Sequence, residues 1–162
     1  MTVSTVKRSA FKTFLNTGTT ETPVWSLVGE GITTGTINYN PETSSETYIH
    51  QDSGVTMIDS YKPTMPIEAT CKAGDTVFDF VDGKRQARAV LAAAQVEIVN
   101  VWLYEAEAGG AYPAERQAAN LQIDSFGGDG GASAKISYTI NFEGDPTIGT
   151  FNPSTLAFVA NP

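Results

Sequence analysis

Lys135-Ile136-Ser137-Tyr138-Thr139-Ile140-Asn141-Phe142 alternates without a break. Ile136, Tyr138, Ile140 and Phe142 fall on one side, and Lys135, Ser137, Thr139 and Asn141 on the other. A period of two marks a strand with one buried and one wet face. Upstream, 119–126 sets Leu121 and Ile123 against Gln122 and Asp124, and 127–131 reads Gly-Gly-Asp-Gly-Gly. Two alternating runs across a glycine turn predict an antiparallel hairpin with a long loop.

Further upstream, 95–105 is apolar on both sides. Val96, Ile98, Trp102 and Tyr104 share one face, and Val99, Val101 and Leu103 the other. Both faces of such a strand need a cover: the domain's own core, plus a helix or a neighbouring subunit. The helix is expected over 76–87. Asp75 is placed to cap it, and Asp79 and Asp82 follow early, where the helix dipole favours anions. Lys84, Arg85 and Arg88 come at the end that suits cations. Gly83 inside it costs about 1 kcal/mol relative to Ala and is a possible break.

Other strand candidates are 11–15, 24–28, 35–40 (Ile37 and Tyr39 on one side) and 61–72. In the last, Ile67, Ala69 and Cys71 oppose Glu68, Thr70 and Lys72, with Pro63 and Pro66 weakening its start. Pro41 is expected to stop the strand before it, and 42–54 reads as a strand return or a long exposed loop. Asp145-Pro146 should end the late hairpin, leaving 147–151 and 156–159 as edge strands. The sum is mainly β (α+β): an antiparallel β-sandwich or barrel of about seven to nine strands with one flanking α-helix.

The 162 residues suit a single domain, 1–162, with a Thr-rich N-terminal arm over about 1–23. A chain of about this length buries roughly 68–70% of its extended surface, so no staples are required. The net charge is −8. An acidic chain does not hold nucleic acid by neutralising phosphates. Lys7, Arg8 and Lys12 have no apolar run behind them, so no secretory signal is expected. No run is long and apolar enough for a membrane-spanning helix. The single Cys71 makes no internal disulfide and reads as a small, buried strand residue.

Chemistry-bearing patterns are sparse. His50 is the only histidine and lies among polar residues, so a surface position outweighs a catalytic base. Asp75, Asp79 and Asp82 lack the spacing of a calcium loop. The glycine run at 127–131 lacks the strand-then-helix context of a dinucleotide site. Glu105 and Glu107 flank a turn with no groove implied. The reading is no enzyme, no cofactor and no metal. Lys84, Arg85 and Arg88 are a solvated helix end or a basic patch for the acidic loops of identical subunits.

The order of segments resembles a known family. A Thr-rich start leads to Val24-Trp25 and Gly29-Glu30-Gly31, then to Tyr39-Asn40-Pro41 and a polar Glu/Thr stretch. The proline-containing strand at 61–72 follows, then Gly74-Asp75-Thr76-Val77-Phe78-Asp79-Phe80-Val81, a basic turn and Val101-Trp102-Leu103-Tyr104. The late hairpin ends in Phe142-Glu143-Gly144-Asp145-Pro146. Over roughly 24–151 this is similar to the major tail, or tail tube, proteins of long-tailed bacteriophages. The resemblance implies a structural virion protein, assembled in the host cytoplasm. Its subunits form hexameric rings that stack into a hollow tail. Its partners would be further copies of itself and the tape-measure, tail-terminator and baseplate-type proteins. DNA would pass through without specific binding, and no membrane insertion is implied.

Within that reading, Gln122, Asp124, Ser137, Thr139 and Asn141 are expected to face the lumen. Glu42, Glu46, Tyr48, His50, Lys84, Arg85 and Arg88 are expected at subunit or ring contacts. An acidic wall would let DNA slide. Two other readings stay open. One is a monomeric β-sandwich binding module, for carbohydrate for example, with Trp25, Trp102, Tyr48 and Tyr112 as a stacking platform. The other is a tube or ring protein of a related injection system.

Overall fold

The computed structural model describes residues 2–162. Its spine is a hairpin of two long strands, β8 (Tyr112–Gly127) and β9 (Lys135–Asn152). Ile136, Tyr138, Ile140 and Phe142 are buried, as their alternation requires, and the turn between the strands carries the glycines. Outward from β8 lie β7 (Gln95–Trp102), β1 (Phe11–Asn16) and β2 (Trp25–Leu27). Outward from β9 lie β6 (Thr64–Thr70) and β3 (Ile32–Gly35) beside its first half, and β10 (Ala157–Ala160) beside its last. All pairings are antiparallel. A separate two-stranded ribbon, β4 (Pro41–Glu46) with β5 (Val55–Tyr61), completes ten strands among the described residues. The other eight form a curled, half-barrel sheet, and one α-helix accompanies it among the described residues.

That helix, α1, spans Thr76–Ala87. The Asp75 carboxylate accepts the Phe78 N–H at 2.9 Å, satisfying one donor that the first turn leaves open. Gly83 does not break the helix; a Cβ there would meet nothing, so its cost is one of propensity alone. Val77 and Val81 are buried against the sheet.

Successive residues of a strand point to opposite faces, and β7 uses both. Val96 and Ile98 join Leu15, Ile136, Ile140 and α1 in one core. Val99 and Val101 join Phe14, Trp25, Ala114 and Phe151 in a second core on the opposite face. Trp25 meets Phe151 edge-on, with centroids 6.4 Å apart, an arrangement that aromatic quadrupoles favour. The chain therefore covers both faces of β7 itself, with the helix as one cover, and no neighbouring subunit is needed for this.

Four expectations are corrected. The 35–40 segment is not a strand: β3 ends at Gly35, and only Asn38 makes an isolated bridge, to Thr64. Pro41 starts a strand, β4, because the ribbon's first residue needs no inner ladder donor. Asp145-Pro146 does not end β9. Gly144, at φ 63°, allows a bulge there, and pairing resumes at Thr147 opposite Arg116. β7 stops at Trp102, with Tyr104 exposed beyond it. Of the expected arm over 1–23, Met1 lies outside the described residues and Phe11–Asn16 is strand β1, with four buried residues in succession.

Candidate functional site

The β8–β9 face opposite α1 stays uncovered. Across it, Gln122 pairs with Thr139 and Asn120 with Asn141. The Asp124 carboxylate accepts the Gln122 amide at 2.6 Å and the Thr139 hydroxyl at 2.7 Å; the Asn141 amide donates to Gln122 Oε1 at 3.2 Å. Asn120 donates to Glu143, and Lys135 is paired with Glu68 at 2.9 Å. Gln122, Asp124, Thr139 and Asn141 thus form one hydrogen-bonded patch. Ser137 lies beside it, paired with Ser125 across a bulge and with Glu68 on β6. The patch is acidic, and its amides and hydroxyls are engaged with one another.

The ribbon is the second feature. Among residues 41–61 only Ser44 is half-buried and all others are exposed. It holds Glu42, Glu46, Asp52 and Asp59 but no Lys or Arg. The Lys62 ammonium at its root bonds the Glu42 carboxylate at 2.7 Å and holds it below the usual carboxylate range. Ser44 donates to Asp59 across the strands at 3.0 Å. At the tip, Tyr48 and His50 stack in near-parallel planes with centroids 6.1 Å apart. Ile49 and Ile58 project into solvent.

The basic residues collect at the C-terminal end of α1. Arg85 donates to Asp82 at 2.7 Å, lowering that carboxyl's pKa, and lies over the Phe126 ring at 3.9 Å. Lys84 donates to the Ala93 carbonyl at 2.6 Å. Arg88 caps the helix in the left-handed conformation, φ 46° and ψ 51°, with its side chain exposed. Glu42, Glu46, Tyr48 and His50 therefore lie on the ribbon, and Lys84, Arg85 and Arg88 at the helix end. The two groups occupy separate regions of one chain.

A third feature is a cleft of about 690 Å³ at the ribbon's root. Its floor is a polar ladder across three strands. Thr13 pairs with Asn100, and Asn100 with Glu115; the Thr13 hydroxyl donates to Asn100 Oδ1 at 2.9 Å. Gln117 donates to the Gly144 carbonyl at 2.6 Å, across the β9 bulge. Tyr39, Tyr61 and Phe142 line the walls, the two tyrosines meeting edge-on at 6.4 Å. Burial pushes the half-buried Glu115 carboxyl up, against a hydrogen bond from Asn100 that lowers it. It also raises the Tyr39 hydroxyl, with Glu115 and Tyr104 adding to the shift. The sequence reading missed this site. Its one signal was Asn100, a lone amide in the apolar run Ile98-Val99-Asn100-Val101.

Other singled-out residues are placed as follows. Asp75 caps α1, Asp79 accepts the Gly74 N–H at 3.3 Å, and Asp82 pairs with Arg85 and Gln86. Glu107 accepts the Gly110 N–H within its turn. Cys71 lies just past β6, half-buried, and burial raises its thiol pKa. The four aromatic residues of the binding-module reading do not make one platform. Trp25 is buried with Tyr112 packed nearby, Trp102 is half-buried at the end of β7, and Tyr48 is on the ribbon tip.

No family model matches the chain, and no curated protein does. Among solved structures, the fold is similar to a chain in the cryo-EM structure of the anti-feeding prophage (AFP) baseplate, 6-fold symmetrised. The TM-score is 0.48 at 10% identity, over 91% of this chain and 97% of that chain. At this score the likeness carries no functional inference.

Proposed function

We propose that this chain is a structural subunit of a phage tail, one that forms hexameric rings and stacks them into the hollow tube through which DNA passes. The observation that carries the reading is the ribbon of 41–61. An isolated two-stranded hairpin is marginal in water, and this one buries no apolar face within its own chain. An ordered arm of that kind has a purpose in contact with another molecule. The order of sequence segments that resembles tail tube proteins supports the same reading.

The uncovered polar face supports it further. Gln122, Asp124, Ser137, Thr139 and Asn141 offer acidic and neutral polar groups; Lys135 beside them is paired with Glu68, and Arg85 and Arg88 stand at one end, where they share a cleft with Gln122 and Asp124. Away from that end, such a wall gives DNA phosphates no free cation to bind. In this reading the face lines the lumen, and the ribbon reaches an adjacent ring or subunit. The protein acts by shape and assembly, without a catalytic group, and its other contacts are the tape-measure, terminator and baseplate-type proteins of the tail.

The test is electron microscopy of the purified chain combined with labelling. Stacked rings are expected, and a cysteine at Thr139, in a Cys71→Ser background, should resist a bulky thiol reagent in intact tubes. Free labelling of that cysteine in intact tubes would show the face to be external. A chain that stays monomeric even with isolated tail-tip complexes would overturn the reading.

A further inference from the structure

The loop after α1 is unlike the rest of the surface. Within four residues, Arg88 at φ 46° and Leu91 at φ 53° both adopt the left-handed region, which bulky side chains rarely enter. Here the chain turns its larger apolar side chains outward: Val90 is 68% exposed and Leu91 86%. At Arg88 the left-handed turn is the helix C-cap, its N–H bonded to the Arg85 and Lys84 carbonyls; at Leu91 no burial offsets the strain, which points to a use outside the monomer. The result is a projecting knob with one cation and two aliphatic groups.

The cleft at the ribbon's root has the opposite character. Its walls are Tyr39, Tyr61 and Phe142, and its anions are Glu115 on the floor and Asp145 on the rim. Glu115 is half-buried, and none of the ion pairs among the described residues engages it. A carboxylate drawn out of water without a counter-ion is unfavourable until a cation reaches it. The cleft's volume of about 690 Å³ lies within the roughly 300–1,000 Å³ typical of sites that enclose a ligand.

We infer that the Arg88–Leu91 knob of one copy docks in the Glu115–Asp145 cleft of a second copy, with the Arg88 guanidinium between the two carboxylates and Val90 and Leu91 against the aromatic walls. A cation and two aliphatic groups on one side meet carboxylates and aromatic walls on the other. The two surfaces are different parts of one chain, so the contact is head-to-tail. It closes into a ring or runs on as a filament according to the rotation it imposes. The inference rests on the reading of the chain as self-assembling, and goes beyond it by naming a contact that the ribbon does not make.

The test uses the full chain in a Cys71→Ser background. Val90→Cys combined with Tyr61→Cys should give a ladder of disulfide-linked multimers under mild oxidation, and neither single variant should. Separately, Arg88→Glu should raise the concentration needed for half-assembly at least tenfold by sedimentation velocity. Adding Asp145→Arg should restore it. Arg88 and Asp145 are both exposed, so unchanged far-UV circular dichroism is expected for these variants. No ladder together with wild-type assembly of Arg88→Glu would overturn the contact while leaving the self-assembly reading standing. No ladder and no assembly of the parent chain at any concentration, even with isolated tail-tip complexes, would overturn both.

Discussion

Two antiparallel hairpins in this chain have opposite fates. The β8–β9 hairpin sends every second residue of its first half into a core, so pairing and apolar burial reinforce each other. The β4–β5 ribbon is shorter but also laddered along its length, yet its side chains stay in water, and its cross-links are exposed pairs such as Lys62–Glu42. Surface pairs of that kind contribute little to stability. Local pairing therefore does not separate them. What separates them is whether a face is buried, and that divides the molecule into a body that stabilises itself and an arm whose faces are left exposed.

Substitutions sharpen this division in order of size. Phe151 is fully buried in the aromatic core, packed on Phe14 with centroids 4.6 Å apart. Phe151→Ala should cost about 3–5 kcal/mol in urea unfolding. Asn100→Ala leaves the buried Thr13 hydroxyl without its partner and should cost about 1–3 kcal/mol. Asp75→Ala removes the helix cap, and a loss of about 1 kcal/mol is expected in the same assay. Replacing 43–59 on the ribbon with Asn-Gly should shift the urea midpoint less than any of these. A ribbon replacement as costly as Phe151→Ala would erase the distinction between body and arm.

The cleft adds a pH signature. Burial raises the folded-state pKa of Glu115 above its ordinary value of 4.5, so the folded chain binds the extra proton more tightly than the unfolded one. This contribution is fully present below the ordinary value and is lost as pH rises through the folded pKa. Glu30, Glu42 and Asp82 are shifted down, so their contributions are lost on the acid side instead. Glu115→Gln should therefore gain stability relative to the parent as pH rises above about 4.5. A constant difference between the two chains from pH 4 to 7 would show that the carboxyl is not strained by burial.

The body was the legible part of the sequence, because its periodicities are its burial patterns. The alternation at 135–142 and the spacing of Val77 and Val81 behind Asp75 each map onto a packed face. The ribbon was read only as a strand return or loop, since its polar residues offered no alternation to follow. The 35–40 segment alternates for another reason: Ile37 and Tyr39 line the cleft. Pro146 read as a stop because the bulge opposite Gln117, where no ladder donor is needed, depends on Gly144 and a partner strand far away in sequence. The polar lumen-side candidates were recognisable as a set. Their hydrogen-bonded arrangement required the register of β8 on β9.

The most direct test of the central claim is electron microscopy of the full chain beside the chain with 43–59 replaced by Asn-Gly, at equal concentration. The account predicts stacked tubes from the full chain and unstacked rings from the shortened one. Tubes of normal length from the shortened chain would contradict it.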